Sequence, residues 1–312
     1  MDKILLIDLH NQIYRAYAGF GFGKKQTHIQ CSGGFDEACN HTSHEDHCIC
    51  GQKWIENESR CFSQANEDYV LIFNFFRNLR PLIELFSPDK CFVIGEGHPT
   101  FRYDLYPEYK ANRIIKTASK QETKDKFTKS KDEIVRLLQL MPITYAVADQ
   151  YEADDVIGTL AENMSEEDIT ILSGDSDFIQ LLQRGYKHCS IYNPIKKEFA
   201  VAPTYSYIAW KCMNGDTSDN ISKILSPKKA LGCATDPELF KKFMSVEENR
   251  ANFAINRKLI EFANVPLEEI IFVEGENNFI KLEKEFDKMN FNSITNEKSW
   301  KKYTDTFKCI KF

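Results

Sequence analysis

No apolar run in this 312-residue chain approaches the roughly 18 residues needed to cross a bilayer, so no transmembrane helix is expected. Nor does the opening, MDKILLIDLHNQ, fit a secretory signal. Its apolar stretch is too short and turns acidic at once, which points to the cytoplasm. There is no internal repeat and no low-complexity tail. Positive charge is also in short supply: 40 Lys and Arg face 46 Asp and Glu, and a net charge of −6 argues, on composition alone, against a nucleic-acid partner. What is present suits a soluble globular protein of one large domain or two modest ones, with 42% hydrophobic and 12% aromatic residues. Half of the 10 cysteines fall within residues 31–61, together with three of the 7 histidines, and the other cysteines are scattered singly as reduced structural thiols would be.

The most informative stretch, YEADDVIGTLAENMSEEDITILSGDSDFIQLL (151–182), reads as helix, strand, turn and helix. Val156, Ile157, Leu160 and Ala161 follow helical spacing. Asp149, three residues before Glu152, makes an arrangement close to a capping box and sets the expected helix start. A helix N-terminus favours each carboxylate by about 0.3–1 kcal/mol, too little to offset the crowding of Glu152, Asp154 and Asp155 once they are partly desolvated. The apolar run 169–172 then ends at Ser173 and Gly174 and leads into Asp175 and Asp177. In open α/β sheets ligands bind beyond the carboxyl ends of the strands. Two acidic clusters brought there require a cation, and an all-oxygen site suits Mg²⁺ or Mn²⁺. A solvated helix start and an ordinary Asp-rich turn would account for either cluster alone.

The pattern recurs elsewhere. The strand-like KILLID (3–8) ends in Asp8, and the run 91–94 leads to Glu96. If these strands are parallel, Asp8, Glu96 and Asp175 share one crevice. Residues 110–131 invert the global charge, with Lys110, Arg113, Lys116, Lys120, Lys124, Lys126, Lys129 and Lys131 against Glu122 and Asp125. With little to bury, this segment is expected to be mobile when free, a basic arm bridging phosphates to the metal site rather than a solvated lysine-rich helix. Further strands are expected at 143–147, 189–192 and 199–201. Helices are expected at 11–18, 66–86, 131–140, 203–213, within 227–245 and at 247–263. GDTSDN (215–220) adds Asp216 and Asp219, again three residues apart, and 264–312 is charged and aromatic with weak periodicity.

FRYDLYPEYKANR (101–113), YEADDVIGTLA (151–161), SGDSDFIQLL (173–182) and GDTSDN (215–220) resemble, in order and spacing, the motifs of the structure-specific 5′-nuclease family, the flap endonuclease and 5′–3′ exonuclease group. The similarity covers roughly residues 1–20 and 66–220 and is greatest to the bacteriophage ribonuclease H type, which removes RNA primers. It implies an α/β class, a PIN-like fold with a central, mostly parallel sheet flanked by helices. The domains implied are an α/β nuclease domain over 1–202, with a Cys/His-rich insertion at about 21–65 and a helical arch at about 110–131, and a helical C-terminal DNA-binding region over 203–312.

Carried over by motif, the metal ligands are Asp8, Glu96, Glu152, Asp154, Asp155, Asp175, Asp177, Asp216 and Asp219. Two Mg²⁺ or Mn²⁺ ions would activate water and stabilise the leaving oxygen, with Asp8, Asp155 and Asp175 central to catalysis. Lys110 and Arg113 would neutralise the scissile phosphate, and Tyr109 would stack on a base. Lys116, Lys120, Lys124 and Lys126 would follow the nucleic acid along the arch. The chain departs from the family in having Glu at 96, where Asp is usual. It also has ISKILSPKKALGCA in place of a glycine-rich GVPGIG-like loop, which puts K⁺ binding in doubt and leaves Lys223, Lys228 and Lys229 to hold duplex by charge.

The insertion has no counterpart in the family pattern. Its Cys31, Cys39, Cys48 and Cys61, with His41 and His44 in reserve, are the ligands expected for a structural zinc, although the spacing fits no standard finger. An incidental or oxidation-prone Cys/His loop is the alternative. The expected activity is removal of primers and flaps from branched, nicked or RNA–DNA duplexes during replication, by a monomer, with replication proteins such as a single-strand binding protein as partners and no membrane association. The rivals are a PIN-like ribonuclease, against which the basic arch and GDTSDN speak, and a non-catalytic scaffold, which would be expected to have lost carboxylates.

Overall fold

Four consecutive apolar residues, Ile4 to Ile7, make β1 (Lys3–Asp8) a strand that is buried on both faces, and it lies at the centre of the main sheet. A computed structural model describes residues 1–18, 28–31, 54–57, 69–113 and 118–311 of the chain. After β1 come α1 (Leu9–Ala18), β2 (His28–Cys31), β3 (Trp54–Asn57), α2 (Val70–Phe86), β4 (Lys90–Ile94), α3 (Thr100–Leu105), α4 (Ala118–Leu138), β5 (Thr144–Val147), α5 (Ala153–Asn163), β6 (Asp168–Leu172), α6 (Ile179–Leu182), β7 (Cys189–Asn193) and β8 (Glu198–Phe199). The rest comprises α7 (Tyr207–Asn214), α8 (Pro227–Thr235), α9 (Pro237–Met244), α10 (Glu247–Ile260), β9 (Ile271–Val273), α11 (Phe279–Lys288), α12 (Asn292–Thr295) and α13 (Glu297–Thr306).

The main sheet runs β8-β7-β6-β1-β4-β5-β9. The strands from β7 to β5 are parallel, and only the edge strands β8 and β9 are antiparallel. Because side chains alternate along a strand, Leu5 and Ile7 enter one apolar layer with α1, α2 and α4, while Ile4 and Leu6 enter the other with α5. A third cluster, built by α7 to α10, stands beside the sheet and includes Tyr109. The mostly parallel α/β architecture expected from the sequence is the one observed, and its parallel strands carry Asp8, Glu96 and Asp175 to the same end of the sheet.

Three local expectations need correction. The basic segment is regular from 118 onward: α4 runs unbroken to Leu138, because Ile134, Leu137 and Leu138 anchor its second half in the core, so no separate helix starts at 131. The start of α5 is capped by Glu152 and Asp155 reciprocally, not by Asp149. Finally, packing does not divide the chain at 202/203 alone. The 203–260 helices form their own cluster, but β9 joins the main sheet beside β5, and Phe286, Phe291, Tyr303 and Phe307 are buried against α2 in the first layer.

Candidate active site

At the carboxyl ends of the parallel strands the acids form a closed ring. Neighbouring charges link Asp8 to Asp175, Asp175 to Asp177, Asp8 to Glu96, Glu96 to Glu152 and Asp154, and Glu152 to Asp219. Asp219 interacts with Asp216, and Asp216 shares a cation with Asp177. Loss of hydration in the cleft is the largest cause of raised pKa here, with like charges adding to it. Asp8 is pushed up to about 6 and Glu96, although its side chain reaches solvent, to about 7, while Asp154 also rises well above the ordinary value. Such mutual repulsion is what a divalent cation would relieve, and Glu152, Asp154 and Asp155 each bring an oxygen within 4.8 Å of the others. The residues therefore fit a metal.

Local chemistry holds the ring in place. Asp8 accepts from the Asn11 N–H (3.0 Å) and the Ser173 hydroxyl (3.0 Å), while Asn11 accepts from Gly174 N–H (2.9 Å), which ties the end of β1 to that of β6. Glu96 accepts from Ala153 N–H at the start of α5 (3.2 Å). Asp175 caps the following turn by accepting from Asp177 N–H (2.8 Å). The loop 215–220 is laced to 108–113: Asn112 donates to the Thr217 carbonyl (2.7 Å), Asn220 to the Glu108 carbonyl (2.8 Å), and Lys110 N–H to the Asp219 carbonyl (2.9 Å).

Asp155 behaves differently from its neighbours. It is fully buried and takes a bidentate pair from Arg102 (2.5 and 2.7 Å), the Ala263 N–H (2.7 Å) and the Glu152 N–H (3.2 Å), so both of its oxygens are engaged. Arg102 also reaches Glu152 (3.0 Å) and donates to the Leu259 carbonyl (3.1 Å). Burial opposes its charge, but Asp155, Asp154 and Glu152 outweigh that and raise its pKa. Asp155 thereby joins α3, α5 and the segment after α10, while its neighbour Asp154 has no Lys or Arg bonded to it among the described residues.

The expectation for Tyr109 is corrected. It is 2% exposed, and its hydroxyl donates to Glu152 (2.9 Å) and approaches Asp219 (3.4 Å), so its ring has no free face for a base. An exposed aromatic lies instead at Tyr14 on α1, 54% exposed and packed on His10 (4.9 Å) and on Phe127 of α4 (5.2 Å). His10 itself is held neutral, with its pKa lowered to about 4 by burial and by Lys131, Arg113 and Lys110. In the sequence only the four-residue spacing of His10 and Tyr14 points to this cluster.

Lys110 pairs with Glu152 and lies 3.9 Å from Asp219, while Arg113 pairs with Asp219. Despite burial, Glu152 is lowered by Lys110 and Arg102, and Lys110 is raised by Glu152 and Asp219. Lys211, which the sequence reading passed over, bridges Asp177 (2.6 Å) and Asp216 (2.7 Å). Its signal was a single cation within the apolar YIAWKCM, five residues before an acid. Lys124, Lys223, Lys228 and Lys229 are exposed, as is Lys126. Lys116, Cys39, Cys48, Cys61, His41 and His44 lie outside the described residues, as do the side chains of Lys120 and Cys31.

Residues 54–207 match the family model of the 5′-3′ exonuclease N-terminal, resolvase-like domain. The DNA polymerase I of Chloroflexus aurantiacus is 32% identical over 206 residues, 61% of this chain and 21% of that protein. A 5′-3′ exonuclease of Bacillus subtilis is 31% identical over 194 residues, 58% of this chain and 62% of its own length. Among solved structures, the T5 D15 protein crystallised with metal ions matches over 99% of this chain and 100% of its own, with a TM-score of 0.57 at 14% identity. The bacteriophage T5 D15 flap endonuclease in a complex with DNA and metal ions matches over 98% of both chains, with a TM-score of 0.56 at 13% identity. The architecture is thus the PIN-like fold of the flap endonucleases. The chain resembles the 5′–3′ exonucleases over residues 54–207, and it spans 21% of the polymerase relative and 62% of the exonuclease relative.

Proposed function

We propose that this chain is a divalent-metal-dependent 5′–3′ exonuclease and flap endonuclease that hydrolyses phosphodiesters near 5′ ends of branched, nicked or RNA–DNA duplexes, clearing primers and flaps during replication. The observation that carries the reading is the ring of strand-end acids closed on one side by the Lys110–Arg113 base of the arch. Asp8, Glu96, Glu152, Asp154 and Asp175 would hold one Mg²⁺ or Mn²⁺, and Asp175, Asp177, Asp216 and Asp219 a second. Bound cations would supply Lewis acidity toward the phosphate and lower the pKa of water.

The chain's own residues do the rest. Lys110 and Arg113 are already within the cleft and can transfer from carboxylate to phosphate when substrate enters, where they offset its developing charge. Arg102 and Asp155 hold the start of α5, and hence Glu152 and Asp154, in register. Tyr14 offers an exposed ring for stacking an unpaired base beside the arch. The exposed lysines of α4, and Lys223, Lys228 and Lys229 at α8, would follow phosphates by charge, a contribution that falls with salt.

The test is a panel of 5′-labelled flap, nicked duplex and RNA–DNA hybrid, each with Mg²⁺, with Mn²⁺ and with chelator. Cleavage from the 5′ side that chelator abolishes is expected. Binding of these substrates without cleavage under any metal would leave the scaffold reading, and cleavage confined to single-stranded RNA would leave the ribonuclease one.

A further inference from the structure

Lys211 belongs to none of the roles above, yet it is held directly between two acids of the cleft. Its side chain is 11% exposed, and Nζ lies 2.6 Å from Asp177 and 2.7 Å from Asp216. The Tyr207 hydroxyl donates to the same Asp177 oxygen (3.0 Å). Both Tyr207 and Lys211 ride on α7, whose Ala209, Cys212 and Met213 are buried in the third cluster, so the helix cannot drift away from the acids. On the other side Asp216 is pinned by a reciprocal backbone pair with Ile221 (3.1 and 2.7 Å). Gly215 makes that turn at φ +71°, where an added Cβ would stand 2.6 Å from the Ile221 carbonyl. The two carboxylates and the ammonium between them are therefore held from both sides.

The opposite side of the ring is built otherwise. Among the described residues, Asp8, Glu96 and Asp154 accept only from backbone N–H groups and the Ser173 hydroxyl, and no Lys or Arg is bonded to them. On this side only Glu152 is paired with cations, Lys110 and Arg102, and Asp8, Glu96 and Asp154 have none bonded to them, while the other half holds Lys211 directly between its two acids. A Mg²⁺ or Mn²⁺ held by Asp177 and Asp216 would compete with the Lys211 ammonium for the same pair of carboxylates, since Mg²⁺ takes its oxygens at about 2.0–2.1 Å and a second positive charge between the two acids would be repelled.

We infer that Lys211 is a built-in counter-cation of the Asp177–Asp216 half, so that the two metal positions fill in order: first the Asp8–Glu96–Asp154 half, then the other only as the Lys211 ammonium is displaced. This rests on the metal-nuclease reading. It makes Lys211 a positioning residue that keeps the acid pair assembled without metal and sets how much cation the second position needs.

Mn²⁺ binding to the whole chain, followed by calorimetry and by the spin-resonance signal of free Mn²⁺, tests the inference without any turnover. Wild type should take one Mn²⁺ per chain, with the second weaker by about tenfold or more because the competent, vacated state is a minor one. Lys211→Met should bring the second affinity close to the first. Equal affinities in wild type, or a second affinity in Lys211→Met that is unchanged or lower, would overturn the inference while leaving the nuclease reading intact. Absence of any Mn²⁺ binding would overturn both. Should Lys211→Met fail to fold, the wild-type protein with ¹³Cε-labelled lysine decides: the Lys211 resonance should hold through the first equivalent of Mg²⁺ and move with the second, and movement with the first would refute the order.

Discussion

Asp154 and Asp155 are sequence neighbours with opposite assignments. Consecutive residues on a helix point about 100° apart, so one of the two meets the cleft and the other meets Arg102. Arg102→Met would leave Asp155 and Glu152 buried beside no guanidinium, and breaking such a pair costs about 3–5 kcal/mol, which urea unfolding should register. Asp155→Asn should likewise lower stability and slow cleavage while leaving the Mn²⁺ stoichiometry unchanged. Asp154→Asn should do the reverse, weakening the first Mn²⁺ with stability kept or improved, because it removes a charge that its neighbours repel. Equal loss of metal from both variants would show that Asp155 is a ligand after all.

The two ends of the basic segment are expected to do different work. Its base is tied into the acid ring through Lys110 and Arg113, whereas Lys124 lies on the exposed face of α4. Lys110→Ala and Arg113→Ala should each slow single-turnover cleavage by at least about tenfold, equivalent to about 1.4 kcal/mol of transition-state stabilisation. Lys124→Ala should chiefly raise the substrate Kd and flatten its salt dependence. A larger loss of single-turnover rate at Lys124 than at Lys110 would reverse these roles. Within α4, Ile134, Leu137 and Leu138 hold the C-terminal end in the core, and Phe127 packs against the same layer, while Lys124 and Lys126 are exposed.

Taken whole, the molecule is acidic, with a net charge of −6, and a good part of that repulsion is concentrated in one cleft. Asp8 and Glu96 have folded-state pKa values of about 6 and about 7 against ordinary values of 3.8 and 4.5. Between about pH 4 and 7 the folded chain therefore binds more protons at these sites than the unfolded one, and their contribution to stability falls as pH rises through that window. Metal competes with the same protons. Without metal, the unfolding midpoint should drop between pH 5 and pH 8, with a shallower drop in Glu96→Gln. The apparent Mn²⁺ affinity should rise over the same interval, and a flat affinity from pH 5.5 to 7.5 would remove these acids from the metal site.

The strand-end acids could be read from the linear chain because each follows a short apolar run, and parallel strands place such positions together: Asp8 after KILLI and Asp175 after ITIL are cases of a local pattern with a general consequence. The weak pattern of the last segment hid β9, whose three residues pair only at an edge, and the helices that return to the first layer. No local pattern could say which acids would be neutralised and by what. Arg102 lies 53 residues from Asp155, and Lys211 lies 34 from Asp177, so their pairing depends on how α3, α5 and α7 pack together. Burial of Tyr109 was decided in the same way, by the third cluster closing over its ring. Charges and strand ends are properties of short segments, but desolvation and pairing belong to the packed molecule, and it is they that divide these carboxylates into those bonded to a Lys or Arg and those that are not.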